Sequence, residues 1–163
     1  PIDFIGVNYY SRNVVADAPV SANPAPEALL GYRNVRLNDV PRTFFDWEVY
    51  PQGLTDFLER VQRDYNPASI LITENGASYL DQVIDGSIDD PERTAYFQSH
   101  LAASLEALRK GVKLDGYFAW SFLDNFEWAE GYQKRFGLTH VDFATQARTV
   151  KSSGQWFKAF QTA

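Results

Sequence analysis

A helix is predicted over residues 51–65, because apolar side chains recur there at intervals of three and four positions. Leu54, Phe57, Leu58 and Val61 would share one face of this helix. Pro51 suits its first turn, where the amide that proline lacks would have no partner. A second helix is predicted to begin at residues 90–91, where an aspartate would cap its amino end, and to end at residue 111. A third, amphipathic helix would begin at residue 152 or 153.

Three short apolar runs, residues 3–11, 69–73 and 114–121, are predicted to be β-strands. Continuous apolar runs are typical of parallel strands that are buried on both faces. Each run is followed by a loop and a helix, so the chain repeats the order strand, loop, helix. The repeat predicts an α/β fold built from βα units, with two sheet edges left exposed if nothing else pairs with them.

Two segments between these elements have no clear period. Residues 16–42 include Pro19, Pro24 and Pro26 and are too many for a structureless connection. We therefore expect a functional loop or a partly disordered segment there. Residues 137–150 are expected to be an irregular or hairpin piece.

The composition is that of an ordinary soluble globular protein, with 45% hydrophobic and 22% charged residues in a chain of 163. That length suffices for one domain with a core, so residues 1–163 are taken as part of a single domain. A formal net charge of −6 disfavours nucleic acid and anionic membranes as partners, because both attract basic surfaces. No apolar run approaches the roughly 20 residues of a membrane span, and the start lacks the features of a signal peptide.

Cysteine and methionine are both absent, and His100 and His140 are the only histidines. Without cysteine there are no disulfides or thiolate metal sites, and we expect neither a metal nor a cofactor. The compartment stays open, with the cytoplasm as the default expectation. Because a natural chain begins with methionine, we expect a segment of a longer chain. The 15% of aromatic residues indicate a large aromatic core, with sugar-stacking platforms as the alternative.

Glu74 is the first candidate for chemistry, because it follows the apolar run 69–73 in the sequence Ile-Thr-Glu-Asn-Gly. A carboxylate at the end of a buried strand reaches the mouth of a pocket. There it could attack an anomeric carbon or stabilise a developing positive charge. The alternative is that Glu74 caps a turn whose geometry Gly76 supplies.

Side chains at the ends of the other two predicted strands could complete a site with Glu74. Asn8 and Tyr10 could orient a carboxylate, although tyrosine there is also typical of a core. After the third strand, Trp120 and Trp128 could stack on a sugar while Glu127 accepts hydrogen bonds from its hydroxyls. That segment could equally be an aromatic helix cap. The carboxyl ends of parallel strands meet at one edge of a sheet, so these residues would lie near one pocket.

Five motifs, taken in order, resemble the carboxyl-terminal part of glycoside hydrolase family 1, the β-glucosidase family. They are GVNYY from Gly6, WEVYPQGL from Trp47, ILITENG from Ile70, DGYFAWSFLDNFEWAEGY from Asp115 and KRFGLTHVDF from Lys134. The resemblance covers nearly the whole chain and is weakest over residues 16–42. It implies about three βα units from the carboxyl-terminal portion of a (β/α)8 TIM barrel. The amino-terminal part of the barrel would be supplied in cis or in trans.

The resemblance assigns roles to the positions that match the family's motifs. Glu74 would be the nucleophile of a retaining β-glycosidase, Tyr10 would hydrogen-bond it, and Asn8 would help to set the polar network around it. The other matching residues would contact a small β-glycoside. They are Trp120 beneath the sugar, Glu127 and Trp128 at its O4 and O6 hydroxyls, Phe136 nearby and Trp47 on the leaving-group side.

The type of residue at the position of Glu127 distinguishes two branches of the family that the motifs resemble. Members that act on 6-phosphoglycosides usually carry serine at this position, with a phosphate-binding lysine downstream. A carboxylate would repel the phosphate, so Glu127 indicates an unphosphorylated sugar. The reaction implied is hydrolysis with retention by double displacement.

The resemblance also implies residues that this sequence lacks. The family's acid/base glutamate lies in an Asn-Glu-Pro motif, which does not occur in residues 1–163. The glutamine and histidine contacts to the sugar are absent too, so we expect this segment alone to be inactive. A thioglucosidase, a catalytically inactive sugar-binding or scaffold protein, and an engineered split half remain alternatives.

Overall fold

The computed structural model of the protein describes residues 2–18 and 29–162. Within these ranges the strands are β1 (Ile5–Asn8), β2 (Val15–Asp17), β3 (Tyr32–Asn34), β4 (Ile70–Asn75), β5 (Leu114–Ala119), β6 (Thr139–Val141) and β7 (Arg148–Val150). The α-helices are α1 (Pro51–Tyr65), α2 (Pro91–Arg109) and α3 (Ser152–Gln161).

A parallel sheet in the order β1–β4–β5 forms the centre of the fold. The helix α1 connects β1 to β4 and α2 connects β4 to β5, as parallel pairing requires of crossover connections. On one face of the sheet, Val7, Ile70 and Ile72 pack against Leu54 and Leu58 of α1. Burial of these aliphatic side chains fixes the strands side by side, so that their carboxyl ends form one edge.

The predicted helices and parallel strands are confirmed, with small differences at their ends. The helix α1 has the predicted bounds, and α2 ends two residues early, at Arg109. The strand β4 runs past Thr73, so Glu74 lies inside the strand rather than after it. This extension follows from pairing with β1, which continues beyond a register shift and brings Asn8 opposite Glu74.

The described parts of the segment over residues 16–42, which are residues 16–18 and 29–42, are more regular than predicted. The strands β2 and β3 pair as an antiparallel ribbon, with Ala16 opposite Arg33. Both strands have three residues and are largely open to solvent, so they carry no hydrophobic pattern that could reveal them. Pro19, Pro24 and Pro26 lie outside the described residues. The hairpin alternative for residues 137–150 is confirmed by the antiparallel pair β6 and β7.

Asp90 is the N-cap residue of α2, as predicted, but its side chain makes no capping hydrogen bond. Its carboxylate instead accepts hydrogen bonds from the Ser153 amide at 2.8 Å and the Ser153 hydroxyl at 2.6 Å, and it pairs with Arg93. Asp90 is only 2% exposed, and a buried carboxylate is stable only when several donors replace water. These bonds fasten the start of α3 to the start of α2.

Among the described residues, β1 and β5 each leave one edge of the parallel sheet unpaired. Next to β5, Phe118 is 58% exposed and Phe122 is 73% exposed. Both line a cavity of about 510 Å³ between β5 and α3. An open sheet edge beside exposed aromatic rings is the surface expected where a further strand and its helix would pack. Nowhere in the described ranges does a helix have the length and apolar character needed to cross a membrane.

His100, on α2, gives the fold an expected pH dependence. Its ring is fully buried and stacked on Tyr96 at 3.8 Å, and Nδ1 lies 2.8 Å from the Tyr96 carbonyl oxygen. Burial lowers the pKa of His100 to about 4, although the bond to the Tyr96 carbonyl opposes this shift. The unfolded chain therefore binds this proton near pH 6.5 while the folded chain does not. Stability should fall as the pH drops from about 6.5 toward 4, by up to about 3 kcal/mol.

Denaturant unfolding at pH 7, 6, 5 and 4.5 measures this loss against the variant His100→Phe, which keeps a ring against Tyr96 but cannot titrate. The variant should lose less stability on acidification than the wild type. If both lose the same free energy over this range, His100 is not the group that titrates.

Candidate functional site

Glu74 and Tyr10 meet at the carboxyl ends of β4 and β1. The Tyr10 hydroxyl donates a hydrogen bond to Glu74 Oε2 at 2.7 Å, across 64 positions of sequence. The backbone aligns the two side chains, because the Tyr9 amide donates to the Glu74 carbonyl oxygen at 3.0 Å. Burial, and then the bond to Glu74 and its charge, raise the pKa of Tyr10 far above its usual range. Tyr10 therefore stays protonated and acts as a donor to the carboxylate.

Three aromatic rings surround Tyr10 and form what we call the aromatic wall: Phe45, Trp47 and Phe136. The centroid of the Tyr10 ring lies 5.3 Å from that of Trp47 and 6.0 Å from that of Phe136. Phe45 stacks on Trp47 at 4.3 Å. Phe136 is buried, whereas Trp47 remains partly exposed. The wall fixes the ring of Tyr10 and leaves one indole open to a ligand.

Trp120 follows β5 and lies beside the strand that carries Glu74. Its amide donates to the Asn75 carbonyl oxygen at 2.8 Å, and its own carbonyl oxygen packs against Gly76. A Cβ at Gly76 would lie 1.7 Å from that oxygen, so this close approach accounts for glycine. The φ angle of Gly76 is not in the left-handed region, so a special turn geometry is not the reason for this glycine.

Glu127 is the second carboxylate near this edge of the sheet. Burial raises the pKa of Glu127, and the charges of Glu74 and Glu130 raise it further. The backbone around it is tightly turned, since its amide donates to the Gly131 carbonyl oxygen at 2.7 Å. The negative charge of Glu74 therefore acts on Glu127, as expected of like charges near one another.

Two further predicted site residues, Asn8 and Trp128, have other surroundings, although Asn8 lies opposite Glu74 in the sheet. The Asn8 side-chain oxygen accepts a hydrogen bond from the Thr73 hydroxyl at 2.6 Å, on the open face of the sheet. Trp128 is 81% exposed, so its indole projects into solvent.

The structure also decides between alternatives that the sequence left open. Tyr9 belongs to the core, at 7% exposure, whereas Tyr10 faces Glu74. The segment from Trp120 to Trp128 is a loop that ends in a short 3-10 turn, so it is not a cap of an α-helix. Glu74 is held by Tyr10, a residue remote in sequence, and not by the turn that follows it.

Asp124 anchors this loop through a buried ionic cluster, which we define as Asp81, Asp90, Arg93, Asp124, Arg135 and Lys151. Its carboxylate pairs with Lys151 at 2.9 Å and with Arg135 at 2.6 Å, and it accepts the Gly137 amide at 2.9 Å. Burial disfavours its charge, but Lys151 and Arg135 hold the pKa of Asp124 below its usual range. The base of the loop that carries Trp120 and Glu127 is therefore rigidly held.

Sequence reasoning assigned no role to Asp124, Asn75 or Phe45. The partners of Asp124 lie up to 27 residues away in the sequence. Local sequence spacing does not predict an ion pair between residues so far apart. In the sequence, Asn75 directly follows Glu74, and Phe45 lies two residues before Trp47. Proximity to a candidate site residue was therefore the one signal that could have identified Asn75 and Phe45. In the described part of the chain, no group of His, Asp or Glu side chains is arranged to hold a metal ion.

The chemistry that this site can support follows from Glu74 and its surroundings. It is a half-buried carboxylate with a neutral phenol as donor, at the open end of a parallel sheet. It could act as a nucleophile or as a general base toward a ligand lying against Trp47 and Trp120.

Comparisons with known proteins identify relatives of this chain. The model of the family described as glycosyl hydrolase family 1 matches residues 1–163. Beta-glucosidase A of Thermotoga maritima is 45% identical over 157 residues, which are 96% of this chain and 33% of that protein. The 6-phospho-beta-galactosidase of Clostridium acetobutylicum is 43% identical over 169 residues, covering 96% of this chain and 36% of that protein.

A comparison of structures agrees with these sequence comparisons. The solved structure of the family 1 β-glucosidase from Thermotoga maritima superimposes with a TM-score of 0.92 at 44% identity, over 99% of this chain and 35% of that one. The predicted fold, three βα units of a TIM barrel, is thereby confirmed. The chain spans about a third of the length of the relatives it matches.

Proposed function

Because the chain belongs to glycosyl hydrolase family 1, we propose that it forms part of a retaining β-glycosidase with Glu74 as the nucleophile. The observation that carries this proposal is the 2.7 Å hydrogen bond from Tyr10 to Glu74 at the carboxyl end of the sheet. It gives one carboxylate the fixed direction that a nucleophile needs. Turnover of a glycoside would exclude the alternative of an inactive sugar-binding protein.

In the first step, a Glu74 oxygen bonds to the anomeric carbon as the bond from that carbon to the leaving-group oxygen breaks. An acid/base residue from outside this chain protonates the leaving oxygen. In the second step, water gives a proton to that residue and attacks the anomeric carbon, which releases Glu74. Two inversions give net retention. If that residue is glutamine, the enzyme would instead be a thioglucosidase.

The strands that complete the barrel are the proposed partner of this chain, whether in cis or in trans. We call the assembly of this chain with those strands the completed barrel. The free edges of β1 and β5 would pair with its neighbouring strands. The exposed rings of Phe118 and Phe122 would then become buried against them. No cofactor or metal is required by this chemistry.

The substrate class is proposed from the charges that face the cleft. Trp120 would lie beneath the sugar and Trp47 on the leaving-group side, with Phe136 behind it. Glu127 would accept hydrogen bonds from O4 and O6, aided by Trp128. A carboxylate at that place repels a 6-phosphate, so an unphosphorylated β-glycoside is the better substrate.

The name of the Clostridium acetobutylicum relative favours a second candidate, a 6-phospho-β-glycosidase. Lys134, downstream of Glu127, is the cation that a phosphate would need. Its ammonium group donates to the Phe44 carbonyl oxygen at 2.6 Å and lies 3.6 Å from the centroid of the Phe44 ring. Those contacts compete with phosphate binding, which supports the unphosphorylated sugar.

Glu127→Ala in the completed barrel tests the function and the substrate together. The wild type should hydrolyse an aryl β-glucoside much faster than its 6-phosphate. The variant should lose about 10-fold or more in kcat/KM on the glucoside, because a buried hydroxyl would lose a charged partner. An aryl β-fucoside, which lacks O6, should lose less.

Steady-state kinetics on the three substrates supply the measurement, and Glu130→Ala, on the exposed end of the same loop, is the matched control. Equal losses on glucoside and fucoside would remove O6 as the contact. Faster turnover of the 6-phosphate by the wild type would favour the second candidate.

A further inference from the structure

We propose that Asn75 and Tyr96 are positioning residues that hold the Glu74–Tyr10 pair in its reactive geometry. The inference rests on the proposed function and extends it to two residues that would not touch the substrate. Asn75 directly follows Glu74 in β4, and Tyr96 lies on α2 behind the sheet. Both are buried, at 0% and 1% exposure.

The side chain of Asn75 connects all three parallel strands. Its amide nitrogen donates to the Tyr9 carbonyl oxygen at the end of β1, at 2.7 Å, and to the Tyr96 hydroxyl at 3.1 Å. Its side-chain oxygen accepts from the Tyr117 hydroxyl on β5. Its backbone carbonyl oxygen accepts from the Trp120 amide at 2.8 Å. The residue thus bonds the backbone that follows β1 and the backbone that follows β5.

Asparagine suits this position because both amide hydrogens and the amide oxygen are used. An aspartate could accept from Tyr117 but could not donate to the Tyr9 carbonyl oxygen. It would also place a second negative charge next to Glu74. The bond to Tyr9 fixes the orientation of the amide, since exchanging its nitrogen and oxygen would place the side-chain oxygen against the Tyr9 carbonyl oxygen, with no donor between them.

The hydroxyl of Tyr96 connects Asn75 to Tyr10 through two hydrogen bonds. It accepts from Asn75 and donates to the Tyr10 carbonyl oxygen at 3.2 Å. Burial raises the pKa of Tyr96 far above its usual range, so its hydroxyl remains a donor. The chain of donors runs from Tyr117 through Asn75 and Tyr96 to the main chain of Tyr10. The side chain of Tyr10 then donates to Glu74.

Loss of the Tyr96 hydroxyl should therefore act through Tyr10. Tyr96→Phe keeps the ring stacked on His100 but removes two hydrogen bonds, and it frees the carbonyl of Tyr10. The phenol of Tyr10 would then spend less time aligned with Glu74. A bond to a charged group is worth more than a neutral one, so a small displacement of Tyr10 has a measurable effect on the rate.

A double-mutant cycle in the completed barrel tests the coupling, with Tyr96→Phe, Tyr10→Phe and the double variant assayed on an aryl β-glucoside. Tyr96→Phe alone should lower kcat/KM about 10-fold, and Tyr10→Phe alone between about 10- and 150-fold. In the Tyr10→Phe background, Tyr96→Phe should cost no more than about 2-fold. Tyr79→Phe, a change to another partly buried tyrosine, is the matched control and should stay near the wild-type rate.

The split between kcat and KM gives a second readout, because misalignment of Tyr10 acts on the reacting geometry at Glu74 and not on substrate binding. In Tyr96→Phe the loss should therefore fall on kcat, with KM close to the wild-type value. A loss that is equal in the wild-type and Tyr10→Phe backgrounds, or one confined to KM, would overturn the positioning role. A wild type that hydrolyses no glycoside would instead overturn the proposed function.

Discussion

Glu74→Ala in the completed barrel should abolish hydrolysis almost completely, by roughly 10⁴-fold or more in kcat. The loss exceeds that of any single contact, because no glycosyl-enzyme can form without the carboxylate. The fold should persist, since Glu74 is only partly buried and the alanine variant removes one hydrogen bond, the one from Tyr10. Aryl glycoside kinetics together with thermal unfolding separate the two effects.

Azide should restore reaction in Glu74→Ala but change its product. The anion would enter the space left by the carboxylate and bond to the anomeric carbon from the same face, while the aryloxide would leave with the electron pair of the broken C–O bond. One inversion would give an α-glycosyl azide, which NMR identifies. Glu106→Ala, on the outer surface of α2, is the matched control and should retain activity without azide. A β-glycosyl azide, or an unaffected hydrolysis rate in Glu74→Ala, would contradict the nucleophile role.

Residues 1–163 on their own should show no turnover of an aryl β-glucoside above the background of the Glu74→Ala variant. Two physical reasons support this expectation. The edges of β1 and β5 are unpaired in the described part of the chain, and Phe118 and Phe122 are exposed beside β5. The second reason is chemical, because the Asn-Glu-Pro motif that would supply the acid/base glutamate is absent from the sequence.

Addition of the remaining strands in trans is the complementary experiment. Activity should appear only when both parts are present, and tryptophan fluorescence should report burial as they associate. Robust turnover by residues 1–163 alone would show that the second carboxylate is not needed or lies within this segment.

The sequence predicted the parallel units well because their signals are local. The apolar run before Glu74 and the spacing of Leu54, Leu58 and Val61 depend on burial alone. The ribbon of β2 and β3 was not predicted, because short, solvent-exposed strands have no pattern of buried apolar residues. Local signals thus reveal what is buried, and they say little about strands that lie open to solvent.

In the candidate site, too, some contacts were predicted from the sequence and others were not. Tyr10 and Glu74 were paired in advance through motifs, and the structure places them in direct contact. Asp90 was assigned to a helix cap because its local sequence fits one, yet Ser153 and Arg93 compete for its carboxylate from other elements. The three-dimensional fold determines which groups pair with a buried charge, so sequence spacing alone does not predict its partners.

A 2-deoxy-2-fluoro aryl β-glucoside offers the most direct test of Glu74 as the nucleophile. Fluorine slows both displacements, and a good leaving group restores the first, so the glycosyl-enzyme should accumulate in the wild-type completed barrel. Peptide mapping by mass spectrometry should then find one fluoroglycosyl group, attached to the peptide that contains Glu74 and to that carboxylate. A label on any other residue would contradict the assignment.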